Sequence, residues 1–153
     1  MPLEIPANLW AAMVTQLQSE LPCEACGFLA GEAARVTTVL PVANALRSPT
    51  AFRMEPRAQL QAMHAIEGAG LDLLAIYHSH PTGPDRPSRT DLAEAAYPEA
   101  LSVICVPGDA GWSARAYWLR DTAAIEEPIV LTQPLAGRPA QDTLKDFSTA
   151  PER

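Results

Sequence analysis

The segment 71–80, Leu-Asp-Leu-Leu-Ala-Ile-Tyr-His-Ser-His, constrains the chain more than any other stretch. Gly70 precedes it and Pro81 stops it. Its mostly apolar body has strand length and is far too short to cross a bilayer. A run with so little polar alternation is expected at the centre of a sheet, covered on both faces. Its end nevertheless carries three polar residues. Side chains of a strand alternate, so His78 and His80 share one face while Ser79 takes the other. Pro81 cannot continue the ladder and turns the chain away.

The rest of the chain supplies partners for that strand. Residues 7–20 place Leu9, Met13 and Leu17, with Trp10 and Val14 one step over, at helical spacing. Asn8 is expected to cap this helix and Pro22 to end it. Residues 27–31 and 35–42 read as adjacent strands joined by a short turn. A loop over 44–50 and a short strand over 51–54 follow. Pro56 suits the first position of a helix running to about Gly68, with Leu60, Met63 and His64 on its inner face. After the proline-stiffened loop 82–87, Ser88 is expected to start a helix reaching about Ala96. Strands are predicted over 101–106, 113–119 and 125–131. From Thr132 onward, Pro, Gly and polar residues predict a loose tail. Helices interleaved with strands give an α/β class, with a single mixed β-sheet flanked by helices. The domain is placed at 1–131 and the tail at 132–153.

Composition removes several function classes. The 153 residues suffice for one core, and the formal net charge is −7 with no Lys/Arg cluster. Nucleic acid and anionic membrane surfaces both need a basic patch, so neither is an expected partner. The N-terminus has no basic segment followed by an apolar one, so no signal peptide is read there and a cytoplasmic location is expected. Cys23, Cys26 and Cys105 do not make a disulfide framework, and Cys26 and Cys105 read as buried small hydrophobes. His64 is not assigned to a metal. Asp85 reads as a solvated turn residue, and Trp10, Trp112 and Trp118 as core or rim.

Two imidazoles side by side at a strand end form half of a tetrahedral zinc site. The stiff loop delivers Ser88-Arg89-Thr90-Asp91 at a helix start, where Asp91 can return as a third ligand and leave one position open, as a catalytic zinc requires. Each part also has a structural explanation. His-x-His occurs by chance at strand ends, and Ser88 with Asp91 has the spacing of a capping box. Glu24, taken alone, reads as a solvated loop acid.

His78-Ser79-His80-Pro81, six residues, Ser88, two residues and Asp91 together resemble the JAMM motif of the MPN-domain zinc metallopeptidases. Glu24-Ala25-Cys26-Gly27-Phe28-Leu29-Ala30-Gly31 resembles the family's upstream glutamate segment, and Phe52-Arg53-Met54-Glu55-Pro56 its lead into the second helix. The likeness spans roughly residues 9–119. It implies a cytidine-deaminase-like fold, zinc on His78, His80 and Asp91, Glu24 as general base and Ser88 as oxyanion donor. It also implies a peptide or isopeptide bond as substrate, next to the C-terminal Gly-Gly of a ubiquitin-like, sulfur-carrier type protein. A deaminase needs His-x-Glu before Pro-Cys-x-x-Cys, and here both order and identity are wrong. A non-catalytic interaction module of the same fold is the remaining alternative.

Overall fold

The computed structural model describes residues 1–135 and 146–149. Its elements in chain order are β1 (Leu3–Pro6), α1 (Ala7–Glu20), β2 (Cys26–Glu32), β3 (Arg35–Val42), α2 (Pro56–Gly68), β4 (Asp72–Ser79), α3 (Arg89–Ala93), β5 (Leu101–Val106), β6 (Ser113–Arg120), β7 (Ala123–Glu127) and β8 (Ile129–Thr132). The strands form one eight-stranded sheet in the order β7-β6-β5-β4-β2-β3-β1-β8. The sheet is mixed: β4 runs antiparallel to β2 and parallel to β5. The strand expected at the centre is indeed interior.

Each face of the sheet has its own cluster. On one, Leu9, Met13 and Leu17 of α1 pack with Leu29, Val39, Ala75 and Tyr77. On the other, Ala58, Ala62 and Ile66 of α2 pack with Phe28, Ala30 and Leu40. Burying a large apolar side chain of this kind stabilises by about 1.5–3 kcal/mol relative to exposure. Trp10, Trp112 and Trp118 are half-buried against the α1 cluster, as rim residues.

Several boundaries differ from those expected, each for a physical reason. β1 runs directly into α1, so the cap position falls on Pro6. Asn8 instead accepts a hydrogen bond from the Leu135 N–H at 3.2 Å. In α2 the inner face is Ala58, Ala62 and Ile66, whereas Leu60 is 57% exposed and His64 lies outside. Small residues at four-residue spacing let the helix sit close to the sheet, and reading only the larger side chains rotates the face. Glu55 caps this helix, accepting from the N–H groups of Arg57 and Ala58. Residues 51–54 form only one bridge, Asn44 to Met54, in place of a strand. The helix after Ser88 is five residues long.

The strand expected over 125–131 is two strands at opposite ends of the sheet order. Only Pro128 separates them. Glu127 and Ile129 are two peptide steps apart, at most about 7 Å, so the sheet curls until its edges meet. Pro128 has no N–H for a ladder, but its carbonyl accepts from Leu3 N–H at 2.9 Å. The Met1 ammonium pairs with Glu127 at 3.0 Å across the same seam.

Most of the expected tail, residues 136–145 and 150–153, lies outside the described residues. Of the remainder, Thr132 ends β8, Leu135 packs on the α1 cluster and Phe147 pairs with Val42.

Candidate metal centre

His78 and His80 project from the C-terminal end of β4, where parallel pairing with β5 is extended by the His80 N–H donating to the Cys105 carbonyl at 2.9 Å. Both side chains are buried. Their Nε2 atoms are 3.0 Å apart. Asp91 Oδ2 lies 3.3 Å from Nε2 of His78 and 3.2 Å from Nε2 of His80. Three donor atoms therefore stand in a nearly equilateral triangle. A tetrahedral zinc about 2.0–2.1 Å from each donor would separate them by about 3.3–3.4 Å. The residues fit such an ion, in donor type and in spacing.

The surroundings fix which nitrogens face the ion. Nδ1 of His80 lies 2.7 Å from the carbonyl oxygen of Pro84. A carbonyl only accepts, so this nitrogen carries a proton and leaves the Nε2 lone pair for a metal. The loop bearing Pro84 is itself tied down. Tyr117 of β6 donates its hydroxyl to the Asp85 carbonyl at 2.8 Å, and Arg115 pairs with the Asp85 carboxylate at 3.0 Å. Asp85 thus has a specific partner and is more than a solvated turn residue. His78 stacks on Phe52, with ring centroids 4.4 Å apart.

Ser88 and Asp91 form the capping box as well. Ser88 Oγ accepts from Asp91 N–H at 3.0 Å, and the Asp91 carboxylate accepts from Ser88 N–H at 2.8 Å. The structural and the chemical readings of this pair therefore coexist. Capping uses the acceptor side of the Ser88 hydroxyl and leaves its proton to be donated elsewhere. The same cap fixes the Asp91 carboxylate over the two imidazoles.

Glu24 sits in no helix or strand, yet it is buried. Its donor atom and those of His78 and His80 lie within 4.8 Å of one another. Asp91 touches both imidazoles more closely, so the tighter triangle is His78, His80 and Asp91, with Glu24 at its margin. Ser79, on the opposite face from the histidines, holds the neighbouring backbone: its Oγ accepts from Ala25 N–H at 2.8 Å, and its own N–H donates to the Ala25 carbonyl at 3.0 Å. Gly27 is required just beyond. A Cβ there would collide with the Tyr77 hydroxyl and the Leu40 carbonyl. Tyr77 passes over it to donate to Gln16, whose Nε2 donates to the Cys26 carbonyl at 3.0 Å.

The charges in this pocket are strongly coupled. Burial pushes the Glu24 carboxyl up to about 7, against the lowering influence of His80 and with help from Asp91. Burial would also raise Asp91, but hydrogen bonds from His78 and His80 hold it well below the usual carboxylate range. Burial lowers His78 despite Asp91. His80 is raised although burial opposes it, because Asp91 and the Pro84 carbonyl stabilise its charged form.

A cleft of about 630 Å³ leads to this centre. Its lining includes Ala51, Phe52, Arg53, Leu92 and Tyr97 together with His78, Ser88 and Asp91. Tyr97 is anchored by Gln59, whose amide donates to its hydroxyl at 2.6 Å. The structure brings together all five residues singled out from the sequence. Phe52 and the backbone clamps on Glu24 and Pro84 were not singled out. Phe52 opens the segment 52–56 that leads into α2, but nothing in its spacing points to His78.

Comparison with known proteins bears on the family and the fold. Residues 6–120 match the family described as prokaryotic homologs of the JAB domain. A CysO-cysteine peptidase of Mycobacterium tuberculosis is 39% identical over 130 residues, covering 83% of this chain and 89% of that protein. A probable TtuB-protein conjugate cleaving protease of Thermus thermophilus is 44% identical over 96 residues, covering 62% of this chain and 64% of the relative. A solution structure of a Desulfitobacterium hafniense protein superposes with a TM-score of 0.78 at 30% identity, over 87% of this chain and 94% of the other. A JAB1/MPN domain protein from Archaeoglobus fulgidus shares the fold, with a TM-score of 0.54 at 18% identity, over 84% of this chain and 98% of that one.

Proposed function

Since the chain belongs to the prokaryotic JAB-domain family, we propose that it is a zinc-dependent peptidase or isopeptidase, with His78, His80 and Asp91 as ligands, Glu24 as general base and Ser88 as oxyanion donor. The observation that carries this reading is the triangle of donor atoms at 3.0, 3.2 and 3.3 Å beside a buried carboxylate. A zinc ion held there supplies Lewis-acid polarisation of a carbonyl and acidifies water towards a pKa of about 7.

The chain's own groups do the rest. Glu24, buried beside the two histidines, is placed to take a proton from the attacking water and to release it again. It then hands that proton to the departing amine, so that bond cleavage releases a neutral leaving group. The Ser88 hydroxyl, its acceptor side committed to the cap, is oriented to donate to the oxygen on which charge develops. Phe52 stacked on His78 and the buried imidazoles keep bulk water off one side, which strengthens each of these interactions.

The substrate is a bond following the C-terminal Gly-Gly of a small ubiquitin-like sulfur carrier. The names of the relatives, a CysO-cysteine peptidase and a TtuB-conjugate cleaving protease, support this class. An extended Gly-Gly tail, with no side chains to place, suits a cleft lined by His78, Ser88 and Asp91. No helix among the described residues is long and apolar enough to cross a membrane.

The test is cleavage of a sulfur carrier extended beyond its Gly-Gly, comparing wild type with Glu24→Gln. Glu24→Gln should retain zinc and lose about 10²–10⁴-fold in kcat. Equal rates in both would remove Glu24 from the mechanism, and wild-type protein without stoichiometric zinc after zinc supplementation would remove the metal.

A further inference from the structure

One side chain outside the proposed ligand and catalytic set touches both the Glu24 main chain and the wall of the cleft. Asn44 follows β3, and its side-chain amide makes four hydrogen bonds. Nδ2 donates to the carbonyls of Glu24 and Ala51, each at 3.0 Å. Oδ1 accepts from the N–H groups of Leu46 at 3.0 Å and Arg53 at 3.1 Å. An amide side chain has two donor protons and two acceptor lone pairs, so its full capacity is used. Its donors meet only carbonyls and its acceptor only N–H groups, which fixes the orientation of the amide.

This matters because regular structure does little for Glu24. The residue precedes β2, and no ladder hydrogen bond reaches it. Its N–H donates to the Ser48 carbonyl at 2.8 Å, a loop atom. Its carbonyl is held by Asn44. Ser79 pins only the next residue, Ala25. The 44–50 loop that contacts Glu24 is closed at its base by the same amide, which joins Leu46 to Ala51 and Arg53. Ala51, Phe52 and Arg53 line the cleft, and Phe52 stacks on His78.

We propose that Asn44 is a positioning residue for Glu24: its amide sets the Glu24 backbone against the 51–53 wall and thereby keeps the carboxylate beside His78 and His80. The proposal rests on the reading of Glu24 as proton carrier. Asn44 touches neither the reacting bond nor the metal ligands. It acts through the main chain of the group that moves the proton.

Asn44→Asp is the discriminating substitution, because it is isosteric. It keeps an oxygen to accept from Leu46 and Arg53, but it removes both donors and sets an oxygen against two carbonyls. The full chain should be assayed on the extended carrier beside wild type and Glu24→Gln, with zinc content, melting temperature and a crystal structure of the zinc-loaded variant. Displacing a catalytic group by about 1 Å costs about 100-fold. The expected result is therefore a kcat about 100-fold lower, with a change in KM well below that in kcat, since Asn44 meets the 51–53 wall from behind and Glu24 carries the proton. Zinc stays at the wild-type level, and the Glu24 carboxylate is displaced from the histidines. Unchanged kcat, loss of zinc together with activity, or a Glu24 that has not moved would each overturn the proposal. Should Glu24→Gln cleave as fast as wild type, the role given to Glu24 has failed and the proposal goes with it. Should wild type leave the carrier intact, the substrate assignment has failed, and the Glu24 position in the variant crystal decides alone: displacement supports the proposal and an unmoved carboxylate overturns it.

Discussion

The two histidines and Glu24 reach the same point by different means. His78 and His80 owe their shared face to strand periodicity: two residues apart at the end of β4, they point the same way because any extended chain would place them so. Glu24 lies in irregular chain: its N–H donates to the Ser48 carbonyl, its carbonyl accepts from Asn44, and Ser79 holds the neighbouring Ala25. The ligand pair is thus encoded locally, while the proposed base is encoded in tertiary contacts that span up to 54 residues. Damage to the first should cost the metal. Damage to the second should cost turnover and leave the metal in place.

The largest expected effect tests the local half. His80→Ala removes one corner of the donor triangle, and purified protein should carry no stoichiometric zinc by elemental analysis. Zinc retained at wild-type level would show that the triangle is not the ligand set. Next comes Ser88→Ala, which sits on the boundary because its hydroxyl caps α3 and is also the proposed oxyanion donor. Loss of the cap should lower stability by about 1 kcal/mol in denaturant melts. Loss of the donor should lower kcat by about 10²–10³-fold. A stability loss with unchanged kcat would confine Ser88 to capping. Tyr77→Phe probes the tertiary half at a distance. It strips the buried Gln16 oxygen of its donor, at an expected cost of about 1–3 kcal/mol. KM should not respond.

The smallest effect is a pH dependence of the metal-free protein. The Glu24 carboxyl is raised from 4.5 to about 7 by burial. The folded state therefore keeps its proton where the unfolded state has lost it, and stability contributed by this group falls as pH rises from 4.5 towards 7. The difference between wild type and Glu24→Gln across that window reports Glu24 together with its charge interaction with His80. A difference that is flat, or that rises with pH, would contradict the burial argument.

The same contrast explains how much was legible in the sequence. Periodicity disclosed β4, α1 and the pairing of β2 with β3, because hydrophobic alternation is a local record of burial. The spacing from His80 to Ser88 and Asp91 anticipated the return of Asp91 to the two imidazoles, because a short stiff loop leaves few places to go. Where packing depends on small residues, the record is weaker. Ala58 and Ala62 bury the inner face of α2, yet Leu60 looks more apolar on paper and stands in solvent. β1, with four residues, was too short to carry a pattern, and the division of residues 125–131 into β7 and β8 follows from sheet curvature that no window of sequence contains. Asn44 has no signature of its own. Its four partners lie at residues 24, 46, 51 and 53, and only the fold assembles them.

The seam at Pro128 has a consequence for the order in which the molecule is built. β1 pairs with β8 through Leu3 and Ile129, residues 126 positions apart, whereas Glu24, His78, His80, Ser88 and Asp91 all fall within residues 24–91. Contacts so distant in sequence carry the greatest loop-closure cost and form late. A ribosome that has released residue 91 from its tunnel has supplied all five proposed site residues, while the strand that shuts the sheet has yet to emerge. β5 and β6, which brace His80 and the Asp85 loop, come between, and closure is the finishing stitch.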